Sequence, residues 1–148
     1  MQQSFSTSFI VNNTPQEIAK AILNIQNWWS EEITGSTNAI GDEFRYHYRD
    51  VHSCAMILTE CTDERIQWHV TENYFNFVTD QTEWDNTDIC FEMIPVSDGI
   101  MVRFTHIGLK PELECYAVCS DAWTRYIKTS LYNLITTGTG NPNQKETL

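Results

Sequence analysis

The stretch Pro111–Gly138, PELECYAVCSDAWTRYIKTSLYNLITTG, limits the possible folds more than any other part of the chain. Cys115, Cys119, Ala122, Trp123, Tyr126, Ile127, Ser130, Leu131 and Leu134 recur at three- and four-residue steps, which puts them on one face of a helix. Glu112, Glu114, Asp121, Thr124, Lys128 and Asn133 fall mostly elsewhere. Pro111 suits a first helical turn, and Glu112 and Glu114 oppose the positive end of the helix dipole. Gly138, after Leu134-Ile135, suits the left-handed residue that ends a helix. The spacing therefore predicts one helix over Pro111–Gly138. Its broad apolar face needs an equally broad partner.

The preceding residues read as a sheet. Ser4–Val11 alternates, with Phe5, Thr7, Phe9 and Val11 on one side. Thr14-Pro15-Gln16-Glu17 predicts a capped helix start, and the helix carries Ile18, Ala21, Ile22 and Ile25 up to Trp28-Trp29. Thr34–Gly41 reads as a loop. Strands follow at Phe44–Tyr48, Ser53–Cys61 and Arg65–Thr71, the last with Ile66, Trp68 and Val70 on one face. Asn73–Thr82 is polar with embedded aromatics and reads either as a lid or as an extension of the hairpin. Asp85-Asn86-Thr87 is a turn, because Asn tolerates left-handed backbone. Asp88–Val96 and Ile100–His106 are joined by the hairpin signal Asp98-Gly99. The order is strand, helix, antiparallel meander, long helix, which is an α+β class. Tyr46, Trp68, Phe91 and Phe104 are expected on the face that curls around the final helix. The 148 residues suit one domain over 1–140, with 141–148 as a frayed tail.

Charge narrows the partners. Nine Lys+Arg against 20 Asp+Glu leave a net charge of −11, with no basic patch for nucleic-acid phosphates or an anionic membrane. The N-terminus has neither a basic start nor a long apolar run, so no signal peptide or membrane span is expected and a cytoplasmic setting is. The five cysteines, Cys54, Cys61, Cys90, Cys115 and Cys119, read as free thiols of a reducing compartment.

Several motifs share one family's pattern. They are Trp28-Trp29, Gly41 with Phe44, Trp68, Glu83-Trp84 with Thr87, Val102-Arg103-Phe104-Thr105-His106-Ile107-Gly108-Leu109, then Cys119, Trp123 and Leu131. Together they resemble the START-like (SRPBCC) superfamily, in the branch named after the activator of the heat-shock-protein-ninety ATPase. That family often has Gly where this chain has Asn86. The resemblance implies a helix-grip fold, in which a curved antiparallel sheet holds a long C-terminal helix, often with a cavity between. Relatives in the wider superfamily bind lipids, sterols or hormones, and some are polyketide cyclases or aromatases. The eukaryotic activator carries a further chaperone-binding domain that has no counterpart in these residues.

The candidate pocket drawn from these readings comprises Trp28, Trp29, Tyr46, Trp68, Trp84, Phe91, Phe104, His106, Cys119 and Trp123, with Tyr48 and Tyr126 as further aromatic wall. Indoles and phenols pair an apolar body with a polar tip, which suits a lined cavity as well as a core. His106 shares a face with Val102 and Phe104, so it is either an anchor for a ligand's polar head or a paired structural histidine. Cys115 and Cys119 lie one helical turn apart and with His106 make an incomplete zinc set, so they read as core residues, and neither metal nor cofactor is expected. Glu83 is either a buried acid facing His106 or Arg103, or a solvated carboxylate. No serine triad, phosphate loop or carboxylate pair is readable. Binding of a hydrophobic or aromatic small molecule is the first expectation. A cyclase- or hydrolase-type enzyme using His106 is the second, and a chaperone-contacting domain the third.

Overall fold

The computed structural model describes residues 4–79 and 83–143. Strand β1 (Ser4–Val11) leads to helix α1 (Pro15–Leu23) and a single 3-10 turn, Ile25–Asn27. Then come β2 (Ile33–Gly35), β3 (Glu43–Tyr48), β4 (His52–Cys61), β5 (Arg65–Phe75), β6 (Asp88–Val96) and β7 (Gly99–Ile107). All seven strands form one antiparallel sheet in the order β1-β7-β6-β5-β4-β3-β2. The chain starts at one edge, crosses on α1 to the other, and meanders back until β7 pairs with β1. The crossing begins with a closed capping box. Thr14 Oγ1 accepts from Glu17 N–H, and Glu17 Oε1 accepts from Thr14 N–H.

The sheet grips one long helix, built of α2 (Tyr116–Arg125), a π-helical stretch (Tyr126–Leu131) and α3 (Tyr132–Thr137). It begins at Tyr116, not at Pro111. Pro111–Glu114 forms turns closed by Leu113 N–H to Lys110 and Tyr116 N–H to Leu113. The two N–H groups ahead of the helix, of Glu114 and Cys115, are taken by the Glu83 carboxylate at 2.9 and 3.0 Å. Glu83 is thus a cap on the positive end of the helix, and faces neither His106 nor Arg103. At the other end Gly138 adopts φ 87°, the left-handed stop its position predicts.

Three further departures from the sequence reading have local causes. Ile33–Gly35 is a short edge strand on β3 that runs into the loop expected at Thr34–Gly41, too brief to display a period. The β4–β5 ladder slips between Ala55 and Met56, opposite the Val70–Glu72 stretch. This bulge reverses the alternation of β5, so Ile66, Trp68 and Val70 point inward first, and then Asn73 and Phe75. The strand therefore runs on to Phe75, which resolves Asn73–Phe75 as hairpin extension; residues 80–82 of the same stretch lie outside the described ones. Finally, Asn141–Asn143 is bound to the body and not frayed. Asn143 N–H donates to Trp29, Glu31 N–H donates to Asn143, and Asn141 N–H donates to Ser130 Oγ. Gly140 permits this approach, since a Cβ there would sit 2.2 Å from the Asn27 carbonyl oxygen. Residues 144–148 lie outside the described ones.

Candidate functional site

Between the π-helical stretch and the β3–β5 half of the sheet the grip stays open. A cleft of about 470 Å³ lies there. Its sheet side presents Tyr46 from β3, His52 from β4 and Phe75 from β5, and its helix side Cys119, Trp123 and Tyr126. Trp29, Trp84 and Tyr48 extend the aromatic part of the wall, which also includes Val51, Ala122, Thr129 and Ser130. Trp29 stacks on Tyr46 with centroids 4.3 Å apart, and Trp84 stacks on Trp123 at 5.6 Å. Exposed Phe77, Val118 and Arg125 stand on the rim, and Asn141 and Asn143 border it on the C-terminal side.

The ten pocket residues drawn from the sequence divide in two. Trp29, Tyr46, Trp84, Cys119 and Trp123 line the cleft. Trp28, Trp68, Phe91, Phe104 and His106 do not; they fill the interior. The Trp28 N–H donates to the Ile22 carbonyl at 3.0 Å, the Trp68 N–H to Thr37 Oγ1 at 2.6 Å, and Phe91 packs edge-on against Trp28, Trp68 and Phe104. Alternation gives a residue's face but not its depth, and the β6–β7 side of the grip is packed shut.

His106 is wholly buried behind Trp84 and Trp123. Trp123 Nε1–H donates to its Nδ1 at 3.1 Å, which fixes the remaining proton on Nε2. Nε2–H then donates to Thr87 Oγ1 at 2.8 Å, and Thr87 donates on to the Trp84 carbonyl at 2.6 Å. Burial, aided by the charge of His52, pushes the imidazole pKa down to about 3. Both nitrogens are engaged, so His106 has no lone pair for a metal beside Cys115 and Cys119, and it does not meet the cleft. Its work is to tie the strand β7, the Asp85–Thr87 turn and the terminal helix together. The Cys115 thiol is pushed up by its hydrogen bond with Cys119 and by burial, the reverse of an activated nucleophile.

The polar groups that do meet the cleft are different ones. His52 donates from Nε2 to Asn73 Oδ1 at 2.7 Å, leaving Nδ1 as an acceptor. Burial lowers its pKa to about 4, so it is neutral at physiological pH. The Tyr46 phenol is held protonated, chiefly by burial and then by neighbouring Tyr126. Asn143 Nδ2 donates to the Tyr126 hydroxyl at 2.7 Å. The indole N–H groups of Trp29 and Trp84 are buried without a partner; that of Trp29 sits near the Tyr46 hydroxyl but closes no hydrogen bond to it. The sequence reading missed His52, Phe75 and Asn143. The bulge in β4–β5 hid the phase of the first two, and Asn143 belongs to a segment with no core pattern. Arg45 lies on the solvent face, paired with Glu72.

No protein-family model and no curated protein sequence matches the chain. Solved structures do. Aha1 from Colwellia psychrerythraea, determined as a dimer in solution, superposes with a TM-score of 0.73 at 20% identity, over 93% of this chain and 99% of its own. A Mesorhizobium loti protein, MLL2253, gives 0.70 at 12% identity over 94% and 100%. DynU16, from the dynemicin biosynthetic locus, gives 0.71 at 10% identity over 98% of this chain and 52% of its own. At such identities the likeness is one of fold: a curved antiparallel sheet gripping a long C-terminal helix.

Proposed function

We propose that the chain is a small-molecule binding domain whose ligand, apolar or aromatic, enters the cleft between the terminal helix and strands β3–β5. The observation that carries this reading is the contrast within one grip. The rings of Trp28, Phe44, Trp68, Phe91 and Phe104 pack one part of it solid, while the part beside Tyr46, His52 and Phe75 keeps about 470 Å³ open. That volume falls in the range of about 300–1,000 Å³ common to ligand sites, and mostly apolar walls with a few polar tips are their usual composition. Among the described residues the lining holds no carboxylate, and His52 is a neutral acceptor. This supports binding over acid–base turnover, which calls for a group poised near the working pH.

Ala122 lies on the helix side of the cleft and gives the test. Native mass spectrometry and tryptophan-emission titration against a panel of aromatics, sterols and fatty acids should find a bound class, and Ala122→Phe should abolish it without unfolding the domain. A panel with no binder, or binding that ignores Ala122→Phe, contradicts the reading.

A further inference from the structure

The charge on this cleft differs from the charge on the rest of the chain. Twenty acidic residues give the protein a net charge of −11, yet among the described residues none lines the cleft. Among the described residues the one ionised side chain on it is Arg125. The other arginines of known pairing are neutralised within the fold: Arg45 with Glu72, Arg65 with Glu60 and Glu92, and Arg103 with Glu92. Arg125 makes no ion pair among the described residues; its guanidinium rests 5.5 Å above the Tyr126 ring at the rim. That cation–ring contact leaves its N–H donors for another group.

The wall beneath has the same bias. The Trp84 indole can only donate, and it is at least nine-tenths buried with no acceptor among the described residues. A buried donor without a partner costs free energy that an incoming acceptor recovers. We infer that the cleft takes an aromatic carboxylic acid, its ring system against Trp29, Trp84 and Trp123 and its carboxylate on Arg125 at the rim. The inference rests on the binding reading above and adds the chemical class of the ligand. A guanidinium–carboxylate pair is charge-assisted and two-pronged, which a neutral amide of the same shape cannot reproduce.

A matched pair tests it by isothermal titration: 2-naphthylacetic acid and 2-naphthylacetamide, equal in shape and different in charge. The acid should bind about tenfold more tightly than the amide, the size of one charge-assisted contact at a partly wet site. Arg125→Gln should erase that difference by weakening the acid. Lys128→Gln removes the same charge from the same helix at an exposed position off the cleft and should leave the difference intact. Amide and acid of equal affinity, or a preference lost equally in both variants, overturns the assignment of Arg125 while leaving the binding reading standing. Failure of both probes at millimolar concentration overturns the aromatic-acid inference, and the binding reading falls with it only if the wider panel also finds no binder.

Discussion

Thr87→Val is the sharpest perturbation of the hydrogen-bonded chain behind the cleft. Valine keeps the volume and branching of threonine and removes one oxygen. Two contacts go, the bond from His106 Nε2–H at 2.8 Å and the bond to the Trp84 carbonyl at 2.6 Å. The second loss is softened, because the same carbonyl still accepts from Thr87 N–H at 3.0 Å. The first is not. His106 cannot move its proton to Nδ1, since that would set two N–H groups face to face with Trp123. An N–H buried without a partner costs about 1–3 kcal/mol, so a loss of about 2 kcal/mol is expected. For a domain of this size each kcal/mol corresponds to roughly 2–4 °C, hence a Tm lowered by about 4–8 °C. Urea denaturation followed by tryptophan emission measures it. Repeating the substitution in a His106→Phe background removes the orphaned donor, and the cost of Thr87→Val should fall to near zero there. Equal costs in both backgrounds would refute the coupling and, with it, the structural role given to His106.

Other consequences follow from single contacts. Glu83→Ala removes the carboxylate from Glu114 and Cys115 N–H and should cost about 1 kcal/mol in chemical denaturation; an unchanged midpoint removes the cap from the account. Gly140→Ala drives a Cβ to 2.2 Å from the Asn27 carbonyl and should cost about 1–3 kcal/mol, with amide exchange quickening at Asn141 and Asn143; a silent substitution means the segment is not held. His106 and His52, at about 3 and about 4, lie below the ordinary 6.5, so the unfolded chain binds protons first as pH falls. Stability present above pH 6.5 should then decline toward the folded values, by up to about 1.4 kcal/mol per pH unit for each histidine. His106→Phe should give a shallower decline between pH 6.5 and 5, and an identical slope would show that His106 is not buried neutral.

Much of the fold is written in local period and turn chemistry. Ser4–Val11 shows its alternation plainly, Thr14–Glu17 its capping box, Asp98-Gly99 its hairpin, and Gly138 its helix stop. What escapes is whatever interrupts a period. The bulge at Ala55/Met56 reverses the phase of β5 and conceals that His52 and Phe75 face the helix. The π-helical stretch Tyr126–Leu131, where the cleft opens, leaves no mark in the three-and-four spacing, since Ile127, Ser130, Leu131 and Leu134 are buried as that spacing requires. The site is half legible for a related reason. Tyr46 and Phe104 both point inward by alternation, but only the relative tilt of helix and sheet decides which meets a cleft and which meets another ring. Glu83 and His106 were recognisable as polar residues in apolar company; their partners lie 31 and 17 residues along the chain, beyond any local pattern.

The central claim is that one half of the grip is open to a ligand and the other is shut. The indole N–H resonances of the five tryptophans report on both halves at once in a proton–nitrogen correlation spectrum. On titration with the tightest-binding naphthyl probe, the signals of Trp29, Trp84 and Trp123 should move, while those of Trp28 and Trp68, bonded to Ile22 and Thr37 in the packed interior away from the cleft, should stay. Movement of Trp28 and Trp68 in place of the other three, or no movement of any, would contradict it.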